Sequence, residues 1–323
     1  MAERIDYLDK ARGVAMICIV MLHLTIFNMK GTASVAVGDF CHSFDTRLLF
    51  LLSGMTAAIS MGGRKMDFRD CLAVGRKKIR TLFLPFLVWS VIVMPFVYDR
   101  SEVADIPRLL LQAFNPQNGG YWFLLYLFMF QLLLIGIRFV ASRFSSSTSL
   151  AASDFWRELL IAFAASWLLF PVYEYLLIFI VCYFAWKYGQ RCIFNKAFAC
   201  VSFVLFVLFY AYVRPVQDCS FVRVMTALCG SFVILTVLRN ASKQTPGGEL
   251  LQYLGRNSLE IYLIHYSLVA ITRDYLINTD GFYAVPLFFL LVAVAMIVCW
   301  ICCKTAVLLK KIPYVPLVLF GRG

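Results

Sequence analysis

Apolar runs of about 20 residues recur along nearly the whole chain, separated by short polar breaks, and a bilayer core roughly 30 Å thick needs that length of helix to cross it. In lipid such a run satisfies its own backbone hydrogen bonds as a helix, so the recurrence predicts an all-α, polytopic membrane helix bundle. Composition excludes an ordinary water-soluble surface: 62% of residues are hydrophobic and 15% charged, with a mean hydropathy of 0.80. The 323 residues would suffice for two soluble domains. A single integral-membrane unit over 1–323, with no appended soluble domain, is expected instead.

About ten spans are expected, at 13–30, 44–62, 81–98, 121–138, 156–170, 173–189, 196–213, 220–238, 257–275 and 283–303. The first lacks a short apolar core followed by a small-residue cleavage site, so it is expected to be retained rather than cleaved. With both termini in the cytoplasm, 23 of the 30 Lys and Arg fall inside, leaving Lys30, Arg47, Arg100, Arg108, Arg214, Arg223 and Arg273 outside. This topology accounts for the net charge of +12. Nucleic acid does not, because the basic residues form neither a tail nor a basic helix. Tyr121, Trp122, Trp186 and Tyr188 are expected at the headgroups, where amphipathic rings anchor spans. Ser142 to Asp154 reads as a flexible inner loop, and Leu109 to Phe114, in the longest outer connection, as an amphipathic interfacial stretch.

Most of the eleven cysteines sit inside apolar runs and read as small hydrophobes rather than a disulfide framework. Cys299, Cys302 and Cys303 cluster, but with no histidine or second pair nearby no metal site is expected. Cys41 and Cys219 fall in segments read as outer loops, where a bridge is open but unsupported.

The segment "RGVAMICIVMLHL", Arg12 to Leu24, places an arginine and a histidine eleven residues apart in the first span. That spacing puts both on nearly one helix face, separated by roughly 16 Å along the axis. Arg12 then lies at the cytoplasmic edge and His23 near mid-bilayer, where a titratable group faces the bundle interior or a wet cavity. His23 is either a functional imidazole or one bonded across helices. In "LGRNSLEIYLIHYSLV", Leu254 to Val269, His265 reaches a comparable depth, so two of the three histidines sit mid-membrane and only His42 lies in an outer loop.

The same stretch pairs Asn257 with Glu260, read as a capping box, although such a helix start, including Ser258, can also cradle a phosphate. Asp45 either tunes a histidine or pairs with Arg47 at the outer edge. Ser53-Gly54 reads as a close helix contact before it reads as a nucleophile. "GRKKIRTLFLPFLVWS", Gly75 to Ser90, sets Arg76, Lys77, Lys78 and Arg80 just ahead of the third span, whose start Pro85 kinks. These cations are either positive-inside topology or a clamp for a polyanionic ligand.

"YLDKARGVAMICIVMLH", "FDTRLLFLLSG", "RKKIRTLFLPFLVW", "YWFLLYLF" and "LGRNSLEIYLIH" together resemble, in order and spacing, the acyltransferase-3 family of multi-span membrane acyltransferases. The likeness is strongest over Tyr7 to Trp89 and Leu254 to His265. One departure is that Tyr266 and Ser267, not a proline, follow the late histidine. The resemblance implies an O-acyltransferase that moves an acyl group, commonly acetyl from acetyl-CoA, onto a hydroxyl of a sugar or glycolipid across a bacterial cytoplasmic membrane. Acyl-CoA is then a co-substrate and no cofactor is permanently bound.

On that resemblance Arg12, Arg76, Lys77 and Arg80 hold the donor's phosphates. His23 acts as general base or transient acyl carrier, Asp45 stabilises its imidazolium, and His265 donates to the oxyanion or positions the acceptor. Ser53, Trp122, Asn257 and Ser258 are candidates for acceptor contact or support. Two other classes stay open. Intramembrane His and Arg also mark transporters and flippases, and a noncatalytic receptor or assembly subunit is the third.

Overall fold

In the computed structural model, which describes residues 5–61, 66–97, 106–114, 120–144, 159, 162, 173–193, 195–213, 219–240, 245–273 and 275–322, the chain is almost entirely helical. Helix α1, Asp6–Asn28, is the hub. It is followed by α2 (Thr32–His42), α3 (Asp45–Met61), α4 (Phe68–Lys78), α5 (Leu84–Val97), α6 (Ile106–Ala113) and α7 (Trp122–Phe144). They are followed by α8 (Tyr173–Ile193), α9 (Lys196–Val213), α10 (Ser220–Asn240), α11 (Pro246–Arg256), α12 (Ser258–Ile271), α13 (Ala284–Leu309) and the short α14 (Val315–Phe320). The only strands among the described residues, β1 (Met29–Lys30) and β2 (Ile277–Asn278), pair in parallel and tie the end of α1 to the connection after α12.

Among the described residues, five helices are long and apolar enough to cross a membrane: Asp6–Asn28, Phe68–Phe96, Trp122–Arg143, Ser220–Asn240 and Ala284–Leu309. Helices also stand at four further expected spans, 44–62, 173–189, 196–213 and 257–275, but fall short of that criterion. The expected span at 156–170 and most of the serine-rich stretch lie outside the described residues.

Close backbone approach sets the helix spacing. A Cβ on Gly255 of α11 would collide with the carbonyl of Asp9, and one on Gly13 with the carbonyl of Leu251, so α1 and α11 meet backbone to backbone. Gly54 of α3 meets the carbonyl of Phe179 on α8 in the same way, the packing role expected of Ser53-Gly54.

Several local expectations are corrected. The segment after α1, expected as an outer loop, is not a loop: Cys41 is buried within α2 and exposed His42 is its last residue. Cys41 and Cys219 are free thiols. The cations expected just ahead of the third span and read as forming no basic helix are themselves helical, because Phe68 to Val97 is a continuous helix broken only by a π turn at Ile79–Phe83. Pro85 explains the turn, since its missing N–H and its ring both disrupt bonding to the preceding turn and the widened π geometry absorbs the misfit. Tyr121 and Trp186 are buried rather than at headgroups. The Tyr121 hydroxyl finds its partner inside, donating to the Leu263 carbonyl at 2.7 Å.

Candidate functional site

Two clusters of polar residues line the path of α1. At one end lie the charges. Arg12 Nη1 bonds Asp9 Oδ1 at 2.6 Å and its Nη2 bonds Thr56 Oγ1 of α3 at 2.6 Å. Arg256, at the end of α11, reaches the other Asp9 oxygen at 3.6 Å, and Gln252 donates to Asp6 at 2.6 Å. Arg76, Lys77 and Arg80 are exposed on α4 and the π turn.

Glu260, in the first turn of α12, is wholly buried. The expected capping box is absent. The Asn257 side chain caps no α12 amide and donates instead to the Tyr253 carbonyl at 2.9 Å. Glu260 Oε1 accepts from Lys310 Nζ at 2.7 Å and from Arg322 Nη1 at 2.6 Å. A buried carboxylate needs charge neutralisation more than an exposed helix end needs a cap, and two residues far along the chain supply it. Neither Lys310 nor Arg322 carried any sequence signal beyond topology.

Deeper along the bundle lie the histidines. Three turns after Arg12, on the same face of α1, His23 Nδ1 sits 2.8 Å from His265 Nε2 of α12. The rings are stacked, with centroids 5.0 Å apart and planes 18° from parallel. His265 is buried, whereas His23 is only partly so. Tyr266 meets the His23 ring edge-on at 5.2 Å, and Phe27 and Tyr262 extend the aromatic wall. Helix α12 runs unbroken through Tyr266 and Ser267. It thus carries His265 beside α1 without a proline.

Hydrogen-bond chemistry orders the protons in this pair. His265 Nδ1 lies 2.8 Å from the Ile261 carbonyl oxygen, which only accepts, so that nitrogen carries a hydrogen. In a neutral ring Nε2 of His265 is then a bare acceptor, and the bond between the rings is donated by Nδ1 of His23. This leaves the lone pair of neutral His23 on Nε2, which has no hydrogen-bond partner among the described residues. The arrangement presents one partly accessible imidazole nitrogen with base and nucleophile character, held by a second ring behind it. Both nitrogens of His265 are already bonded, so in this arrangement neither is free to donate to an oxyanion.

Asp45 begins α3 and is buried. Its carboxylate accepts from Thr46 Oγ1 at 2.9 Å, faces His42 Nδ1 at 3.4 Å and lies 3.9 Å from Arg47 Nη1. Its direct contacts thus include both a histidine, His42, and Arg47, and the hydrogen-bond partner of His23 is His265. Arg47 continues to Glu174 of α8 at 3.8 Å, which Arg223 of α10 binds at 2.6 Å, a network across three helix starts that spacing along the chain could not reveal. Trp122 packs against Tyr175 and Tyr126, while Ser53 is partly exposed beside Gly54 and Ser258 opens α12. Cys299, Cys302 and Cys303 are buried in the packed face of α13.

Set against protein-family models, residues 5–304 match one described as an acyltransferase domain. No curated protein matches the chain, and no solved structure does.

Proposed function

Because the chain belongs to this acyltransferase family, we propose that it takes an acyl group, acetyl from acetyl-CoA, at the charged end of the bundle and passes it to a hydroxyl of a sugar or glycolipid acceptor at the far side of the membrane. The observation that carries this reading is the single stripe of α1 that joins Arg12, in the charged cluster, to the unpartnered Nε2 of His23. Arg12, Arg76, Lys77 and Arg80 hold the donor's phosphates, and the slim pantetheine arm runs along that stripe. His23 Nε2 takes the proton of the acceptor hydroxyl as its oxygen attacks the thioester carbonyl. The C–S bond breaks, and the departing thiolate receives the proton, so CoA leaves on the side it came from. Asp45 adds negative charge near the imidazolium that forms in between.

The test uses purified protein in liposomes with labelled acetyl-CoA and a sugar acceptor. His23→Ala should abolish transfer and retain CoA binding. Full activity in that variant would overturn the base role. The transporter reading is separated by turnover in detergent, where an enzyme still makes product and a carrier has no compartments to move substrate between.

A further inference from the structure

The C-terminal segment after α13 folds back across the charged end of the bundle and is anchored there at several points. Phe320 is fully buried in the core. The Trp89 indole donates to the Leu319 carbonyl at 2.8 Å. Gly321 adopts a left-handed φ of 62° and lies so close to the π turn that a Cβ on it would collide with the Arg80 carbonyl and crowd Thr81. The next residue is Arg322. This fold-back brings residues 319–322 beside the segment that carries Arg80 and over the start of α12, the helix that carries His265.

Glu260 beneath it takes both Lys310 and Arg322 on one oxygen, at 2.7 and 2.6 Å, which holds the two cations within roughly 5 Å of each other. One cation is enough to neutralise one carboxylate. Two leave a net positive charge, and Glu260 is the only acidic side chain among the described residues that pairs with either. Their side chains are 30% and 49% exposed, so the surplus charge faces outward, while the acid that fixes it is at 0%. A pair of like charges held together by a buried acid, one residue along the chain from the Gly321 contact with the Arg80 backbone, suits an anion with several oxygens.

We propose that Lys310 and Arg322, positioned by Glu260, form with Arg80 a phosphate-binding site that the C-terminal segment adds to the donor mouth. The site takes a phosphate of the nucleotide part of the acyl donor, and it rests on the donor reading above. Glu260 is a positioning residue here. Its task is to keep two mobile cationic side chains in place, which lowers the ordering cost of binding.

The experiment measures binding of coenzyme A, and of pantetheine as a phosphate-free control, to detergent-purified wild type, Lys310→Ala, Arg322→Ala and Arg322→Lys proteins. Each alanine variant should weaken CoA binding about tenfold and raise the KM for acetyl-CoA with kcat unchanged. Arg322→Lys should retain most of the affinity, and pantetheine should bind all four proteins equally. Wild-type protein that does not bind CoA would overturn the donor reading together with this site. CoA binding that is unchanged in both alanine variants would overturn the site alone. Should an alanine variant fail to fold, photolabelling of unaltered protein with an azidoadenine CoA analogue decides. Label in residues 310–322 supports the site, and label confined elsewhere overturns it.

Discussion

Replacing His265 tests the proton order in the imidazole pair most directly. The bond from His23 Nδ1 to His265 Nε2 is 2.8 Å long and joins two neutral rings at rest. When His23 Nε2 takes a proton from the acceptor, the same bond becomes charge-assisted, worth about 1.5–3 kcal/mol. That strengthening exists only as the reaction proceeds, so its loss lowers kcat rather than raising KM. The gain over the neutral bond of about 0.5–1.5 kcal/mol is therefore roughly 1–1.5 kcal/mol, and at about 1.4 kcal/mol per tenfold His265→Phe should lower kcat about 5- to 12-fold with donor KM little changed. His265→Gln, whose amide oxygen can accept from His23 Nδ1, should recover much of the loss. Initial rates of acetyl transfer in proteoliposomes measure both. Histidine 15N spectra add a readout independent of turnover, since the chain has only three histidines. They should show the hydrogen on Nδ1 in both His23 and His265. A hydrogen on His23 Nε2 in the neutral protein, or a phenylalanine variant within threefold of wild-type kcat, would refute the reasoning.

Arg12→Ala should raise donor KM roughly tenfold through loss of one charge-assisted contact of about 1.5 kcal/mol, and steady-state kinetics with varied acetyl-CoA check it. Gly255→Ala forces a Cβ into the Asp9 carbonyl and should cost about 1–3 kcal/mol of stability, read as a fall in midpoint during thermal unfolding in detergent. Glu174→Ala leaves Arg47, whose side chain is 4% exposed, with only the 3.9 Å contact to Asp45 as an ion pair. It should destabilise by about 3 kcal/mol in the same assay, and an unchanged midpoint would show that the network adds nothing to stability.

The hydropathy of the chain was enough to predict helices for nine of the ten expected spans, because lipid leaves an apolar run no cheaper backbone arrangement. The Arg12–His23 stripe was legible for a similar reason, since helix pitch alone puts residues eleven apart on one face. The same local logic misread Glu260. Its spacing from Asn257 matches a capping box, yet cations 50 and 62 residues later reclaim the carboxylate. It also misread Tyr121, an interface ring by position that is a buried donor to Leu263 in the fold. The π turn fell between, since Pro85 announced a disruption but not its form.

What the sequence determined by itself is what depends on neighbours along one helix: the membrane setting, the helical elements, and the shared face of Arg12 and His23 on α1. Tertiary structure decided which side chains meet. His23 and His265 are 242 residues apart, and their bond exists because the glycine seam between α1 and α11 draws α12 against α1. Such partners are chosen by packing across helices, which no periodicity in a single chain records, whereas span and pitch are fixed by the backbone and its solvent before any contact forms.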